Sequence, residues 1–338
     1  MTLNTFNVFR SDVGLGFEES LNKLLPACRQ YQQDIAAEGC RLRYCKIFLS
    51  DIVNQWQPLM ESALYKEILS RAGCSVIGQP PLDGSKVNIL TLHGPGDEAL
   101  FHSLRLSREE AKGRDSYAQT AQLFEKYLAI LREKGLTLEH DCVRTWLYVS
   151  DIDNNYAGVV KARNELFMEH GMTPETHFIA STGIGGKSPA AGAVVSMDFL
   201  TYPNLDAIRY LHAPDHLSPT HEYGVAFERG TLLSLHGKKI YLISGTASID
   251  SRGKIVHAGN VYKQAERLLD NISALLAEGG AKLSQVGHFI VYLRDSADYP
   301  VIHAYLSDRF PNTPFVIVHA PICRPGWLVE MECAAEST

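Results

Sequence analysis

The sequence predicts an α+β fold of two tandem modules, each with helices packed on one face of a mixed β-sheet. Two observations carry this. The first is an internal repeat. Ser116–Gly135 and Val261–Gly280 align so that Tyr117 recurs as Tyr262, Gln119 as Gln264, Leu123 as Leu268 and Leu131 as Leu276, at a constant offset of 145 residues. Both segments place apolar residues three and four apart and stop at glycine, the pattern of a surface-packed helix. The second is the order of elements after each helix. A β-rich run ending in aspartate follows in both copies, over 143–151 and 289–295. A second helix is then predicted around 156–170 and 299–310. Two closing strands complete each copy, 176–181 with 193–199 and 315–320 with 327–333.

The modules are expected to span 1–205 and 206–338, joined through the Pro-, His- and Asp-rich stretch 202–220. The first ~40 residues read as an appended segment with a helix around 17–38, and 51–85 as an insertion in the first module's opening hairpin. One copy is expected to keep the chemistry and the other to cover it.

Composition narrows the function. The 338 residues are 45% hydrophobic and 21% charged with a net charge of −6, which supplies no basic footprint for nucleic acid. Seven cysteines without a C-x-x-C pair suggest neither a disulfide framework nor a zinc knuckle. The start of the chain lacks a basic region followed by an apolar stretch, and no run approaches the ~18 apolar residues of a membrane span. A cytoplasmic protein without membrane partners is expected.

Three motifs do not carry chemistry. Thr182–Ser188 resembles a phosphate loop, but Ser181 stands where the pattern requires its first glycine. As a glycine-rich turn it could still offer N–H groups to an anion. His212, His216 and His221 lie among prolines and read as loop histidines, so no metal site is expected. No Gly-x-Ser-x-Gly elbow is present.

The last residues are the most informative. A Cys323-Arg-Pro-Gly turn leads into a strand carrying Glu330 between Leu328, Val329 and Met331. Two readings stand side by side: a solvent-facing strand glutamate with Cys323 as core filler, or a desolvated carboxyl whose raised pKa makes it a general acid. Arg144 sits inside an apolar strand, where a guanidinium is costly unless it meets an anion. Arg163 is placed on the following helix, Arg229 at the end of a strand over 224–229, and Arg324 in the C-terminal turn. Several arginines near strand ends suit a small ligand with more than one carboxylate.

Residues 240–335 resemble the RidA/YjgF family through 243–256, Gln264, Asn271, Val291–Asp295 and Val329–Glu332. Deaminating members of that family hold an imino-acid carboxylate with an arginine whose position falls at Phe315 or Val316 here. Over nearly the whole chain the sequence is similar to the chorismatases, which use a doubled RidA-like fold to remove the enolpyruvyl group of chorismate. The matching stretches are 145–153, Arg163-Asn164, 178–184, Tyr223–Arg229, 244–248 and Cys323–Glu330. The resemblance implies Glu330 as the acid, with Cys323 beside it favouring 3-hydroxybenzoate, accompanied by 4-hydroxybenzoate, over the dihydroxycyclohexadiene acid of the hydrolytic branch. It implies substrate binding by Arg163, Arg229, Arg324 and Tyr223, and by the turn of Gly245, Thr246 and Ala247, with Arg144 one layer further out. No metal or organic cofactor is required. The alternatives are the hydrolytic chorismatase, an imine/enamine deaminase and a non-catalytic ligand-binding protein. The assembly is expected to be a monomer, its site between the two halves, or a homotrimer.

Overall fold

The computed structural model describes residues 4–96 and 99–337. The chain opens with β1 (Thr5–Arg10), α1 (Phe17–Ala37), β2 (Arg41–Leu49), α2 (Ile52–Glu61), α3 (Ala63–Glu67), β3 (Gly73–Ile77) and β4 (Val87–Gly94). It continues with β5 (Leu100–Leu104), α4 (Arg108–Ala111), α5 (Ser116–Glu133), α6 (Leu138–Asp141), β6 (Cys142–Val149), α7 (Ile152–Glu169), β7 (Ala180–Gly185) and β8 (Val195–Thr201). The last part holds β9 (Ala207–Leu211), β10 (Gly230–Leu235), β11 (Lys238–Ala247), α8 (Val261–Gly279), β12 (Val286–Leu293), α9 (Tyr299–Arg309), β13 (Phe315–His319) and β14 (Val329–Ser337). Among the described residues, no helix is long and apolar enough to cross a membrane.

The fold is α+β with mixed sheets and repeated modules, but the strands form three sheets rather than two. Their orders are β1-β4-β2-β3, β5-β8-β6-β7 and β13-β12-β14-β11-β10-β9. The first two orders recur in the third as β11-β14-β12-β13, with β10 and β9 added at one edge. The parallel pairs β2–β3, β6–β7 and β12–β13 correspond, as do the antiparallel pairs that close each unit. Residues 4–94, in which the sequence suggests an appended segment over the first ~40 residues and an insertion over 51–85, therefore build a sheet of the same kind. Its periodicity is broken locally. Pro26 lies inside α1, and Ser62, in extended conformation, splits the second helix into α2 and α3.

Alternation along the strands explains how the three units pack. Cys45, Ile47 and Leu49 of β2 join the core beneath α1 to α3, and Leu147 and Val149 of β6 the core beneath α5 and α7. The opposite faces, with Tyr44, Phe48 and Leu90, Trp146 and Tyr148, and Ile290 and Tyr292, meet in one shared cluster. The ends of the parallel edge strands interlock by short bridges, Gly78 with Lys187, Pro81 with Val318 and Ile184 with Ile322. The Arg10 guanidinium donates to the Phe315 carbonyl and joins the first sheet to the third.

The shared interior excludes water, so its charged groups pair across sheets. Asp198 of β8 accepts from Lys46 of β2 at 3.1 Å, from Arg105 at 3.3 Å and from the Tyr148 hydroxyl at 3.0 Å. Lys46 also lies 3.7 Å from the centre of the Trp146 ring. Removing one member of a buried pair leaves the other uncompensated. Asp198→Ala is expected to cost about 3–5 kcal/mol of unfolding free energy, measured by urea denaturation. A loss below ~1 kcal/mol would mean that Lys46 reaches water.

Candidate active site

A cavity of about 500 Å³ opens between the second and third sheets. Its walls come from α7, β7, the segment before β10, the end of β11, the Cys323–Trp327 turn and Glu330 of β14. This size falls in the range of small-molecule sites.

Glu330 is carried by the central strand of the third sheet, opposite Ala247 of β11 and Tyr292 of β12. Alternation sends Val329, Met331 and Cys333 toward the helices and Glu330, Glu332 and Glu336 inward. Glu332 meets Arg144 at 2.9 Å and the Trp146 indole N–H at 2.6 Å. Glu336 accepts from the Asn4 backbone N–H at 3.0 Å and from its side-chain amide. Glu330, 5% exposed, instead faces the cavity. Burial and then the neighbouring Glu332 carboxylate push its pKa up to about 8, against a weaker downward pull from Arg144 and Arg229. It is a carboxylic acid at neutral pH.

The carboxyl lies against Gly245. A Cβ there would collide with Glu330 Oε1 and sit 3.0 Å from both Glu330 Cδ and Thr182 Cγ2, so only glycine leaves room. Gly245 falls in the register shift between Ile243 and Thr246, a bulge that breaks the β11–β14 ladder beside the acid. Its N–H donates to Thr182 Oγ1 at 2.9 Å, which ties this stretch to β7 of the second sheet.

Three guanidinium groups surround the acid without a carboxylate partner among the described residues. Arg163 is 1% exposed on the buried stripe of α7 that includes Val159 and Phe167, and its Nε and Nη2 have no hydrogen-bond partner. Burial lowers its pKa, with Tyr156 the main opposing influence. Arg229 donates from Nε and Nη2 to the Ser218 carbonyl, at 3.2 and 2.8 Å, and lies 5.6 Å from the Tyr223 ring centre. Arg324 sits between the Tyr223 and Trp327 rings, at 4.6 and 4.8 Å. Arg163 and Arg229 are buried and Arg324 half-buried, and cations so placed are sites for an anion.

Cys323 is partly buried beside Glu330. Burial, and then the Glu330 charge, push its thiol up to about 12, against a hydrogen bond from Tyr156. It is a neutral thiol at physiological pH and not a nucleophile. Tyr156 and Tyr223 are both held above the ordinary phenol range by burial.

The cavity brings together Glu330, Cys323, Arg163, Arg229, Arg324, Tyr223, Gly245 and Ala247. It leaves out one residue expected to line it, Thr246, and Arg144, expected one layer further out, also lies outside it. Thr246 is buried away from it, its hydroxyl turned to the Ser244 carbonyl at 2.8 Å. Arg144 is committed to Glu332, to Thr182 Oγ1 at 2.5 Å and to the Ile243 carbonyl at 3.4 Å. Arg229 does not end a strand. Residues 224–229 form an irregular segment pinned by Asn164, whose amide donates to the Gly224 carbonyl at 2.8 Å and accepts from the Ala226 N–H at 3.1 Å. The glycine-rich stretch after Ser181 is β7 itself and not an anion-holding turn. Its glycines admit Tyr156 against Gly183 and Pro321 against Gly185. Residues missed from the sequence are Tyr156, Asn164 as a clamp, Thr182 and Phe227. Three glutamates at alternate positions of one apolar strand were a signal that β14 faces a special interior.

Ionisation of Glu330 links pH to stability. Between its ordinary value of 4.5 and about 8 the folded chain keeps a proton that the unfolded chain loses, so wild-type stability falls as pH rises. Glu330→Gln removes that dependence. Its stability relative to wild type is expected to rise across this window by up to ~1.4 kcal/mol per pH unit and to level off below it. Urea midpoints at several pH values test this. A constant difference between the two proteins would show that Glu330 ionises freely.

The family model "Endoribonuclease L-PSP" matches residues 231–337. The 3-aminoacrylate deaminase RutC of Acinetobacter baylyi is 30% identical over 98 residues, 28% of this chain and 78% of the relative. A RutC family protein of Pyrococcus abyssi is 30% identical over 95 residues, 28% of this chain and 75% of the relative. Over the whole chain, the fold is that of a chorismatase crystal structure, with a TM-score of 0.68 and 21% identity, covering 99% of this chain and 100% of that one. The matched segment is the sheet that carries Glu330, and through it the chain belongs to the RidA/RutC (endoribonuclease L-PSP) family.

Proposed function

We propose that the protein is a chorismatase, which cleaves the enolpyruvyl ether of chorismate to release pyruvate. The observation that carries this is a buried, protonated Glu330 facing a cavity that also holds Arg163, whose Nε and Nη2 have no hydrogen-bond partner. An enol ether is cleaved by protonating its methylene carbon, which makes an oxocarbenium ion. That step needs an acid still protonated near neutral pH. Chorismate carries two carboxylates, for which Arg163, Arg229 and Arg324 are the candidate partners, and a planar diene that suits the Tyr223 and Trp327 walls. The full-length likeness to a chorismatase fold supports the same reading.

Incubation of the purified protein with chorismate is expected to release pyruvate, and Glu330→Gln to lower turnover by at least ~10²-fold while leaving the fold intact. No pyruvate above background from wild type would defeat the proposal. A near-normal rate in the variant would make Glu330 structural.

Deamination, the reaction named for the RutC relative, is disfavoured by the residues present. The family arginine has no counterpart at Phe315 or Val316. Matching the parallel registers Phe289–Phe315 and Thr145–Ser181 puts Ser181 and Thr182 at the same positions on β7, the strand that lines this cavity.

Product choice is assigned to Cys323. Hydrolysis needs a water beside the protonated ether and yields the dihydroxycyclohexadiene acid. In the route to hydroxybenzoate the ring's own hydroxyl takes part, a ring proton is lost and no net water is consumed. A neutral thiol beside Glu330 crowds that water. Wild type is therefore expected to give mainly 3-hydroxybenzoate, with 4-hydroxybenzoate alongside, and Cys323→Ala to shift toward the dihydroxycyclohexadiene acid. Chromatography of both reaction mixtures decides. The dihydroxycyclohexadiene acid as the sole wild-type product would remove Cys323 as determinant.

One chain is proposed to suffice, because strands, a helix and loops of the same polypeptide all contribute walls of the cavity. Light scattering is expected to give the mass of a single chain, with specific activity independent of dilution. Activity lost on dilution would instead favour the homotrimer.

A further inference from the structure

We propose that Glu332 is a positioning residue of this site, which keeps Arg144 from pairing with Glu330 and, through Thr182, holds Gly245 beneath the Glu330 carboxyl. In its kinetic consequences the proposal rests on the chorismatase reading; in its structural ones it stands alone. Glu332 lies two residues beyond Glu330 on the same face of β14 and is 2% exposed. Its Oε2 accepts from Arg144 Nη2 at 2.9 Å and from the Thr182 hydroxyl, and its Oε1 from the Trp146 indole at 2.6 Å. Thr182 Oγ1 in turn accepts the Gly245 N–H at 2.9 Å, and the Glu330 carboxyl rests on the bare Cα of Gly245. A simple buried ion pair would need only Arg144 and Glu332. Here the contacts continue through Thr182 and Gly245 to the acid.

The charges around Glu330 show why the pairing matters. On its own strand it faces Glu332, which favours the protonated form. Arg144 of β6 and Arg229 of the segment before β10 favour the ionised form. Tyr292 of β12, Tyr156 of α7 and Cys323 of the turn are neutral groups whose ionisation Glu330 opposes. Tyr223, Arg163 and Arg324 complete the cavity's titratable and charged lining near the acid, with Lys161 farther along α7. Without the Glu332 charge, Arg144 becomes an uncompensated buried cation that still favours the ionised form of Glu330.

The test is a carbon-13 NMR titration of the Glu330 carboxyl in ligand-free protein. In Glu332→Gln the midpoint is expected to fall by about one pH unit or more, the usual effect of an uncompensated cation nearby. Thr182→Val, which frees the Gly245 N–H while keeping the Arg144–Glu332 pair, is expected to lower the same midpoint, and Thr182→Ser to restore it. Should Glu332→Gln fail to fold, the Thr182 pair decides. Unchanged midpoints in the folded variants would overturn the proposal and leave Glu332 a structural ion pair. With chorismate, the fall of kcat at alkaline pH is expected to move to lower pH in step with the titration. Absence of wild-type turnover would strike the proposed activity and leave the titration to judge the positioning role.

Discussion

A polar side chain on the inward face of any of the three sheets has no bulk water beside it, and the rest of the structure follows from that. Each sheet is covered by helices on one side and by the other two sheets on the opposite side. An inward charge must find a partner across a sheet junction or give up its ionisation. Lys46 with Asp198 and Arg144 with Glu332 meet the first condition, and both pairs join different sheets. These pairs align the junctions, because displacing a strand by one residue would turn the charge toward the helix core. Glu330 meets the second condition and remains an acid.

On the chorismatase reading proposed above, the same arrangement makes the cavity complementary to an anion whose carbon is to be protonated. Arg163 is buried without a carboxylate partner among the described residues, its Nε and Nη2 unmet, while the Glu330 carboxyl that faces the same cavity is neutral. Neither feature favours stability. Both would be relieved by a carboxylate ligand, which pairs with the guanidinium and brings its reactive carbon to a proton donor. Interactions built for the reacting species and left unmet in the free protein are the general means by which a site turns binding into rate. The neutral thiol of Cys323 fits this picture as a group that occupies space and not as a reagent.

Much of this was legible in the sequence where pattern and packing agree. The helices over 116–133 and 261–279 share a strong apolar period, and the C-terminal turn spells its strand and acid without interruption. The arginines were recognisable because a guanidinium in an apolar context demands an anion. Which anion was not recognisable. Arg144 satisfies itself on Glu332 while Arg163 does not, and that difference depends on a contact between residues 188 positions apart. The first sheet stayed hidden because prolines and a broken helix interrupt its periodicity. The closing strand of the second sheet begins two residues later than its apolar run, at Val195, and β7, expected over 176–181, runs over Ala180–Gly185, where Tyr156 and Pro321 press against the backbone of its glycines.

The three sheets also show what unlike modules in one chain allow that identical modules do not. Asn88, Ser196 and Glu330 occupy the same place in their closing strands, opposite Phe48, Tyr148 and Tyr292. The next inward positions are Leu90, Asp198 and Glu332. A symmetric trimer of identical modules repeats each residue at every junction, so a buried acid, its cationic surroundings and its stability penalty would occur three times. Three different sheets in one chain escape that constraint. The junction between the first and second sheets is closed by the Lys46–Asp198 pair, which fastens the assembly. The junction between the second and third keeps a cavity, a guanidinium with no carboxylate partner among the described residues and a protonated carboxyl, a departure from full satisfaction of the kind that proteins concentrate at functional sites.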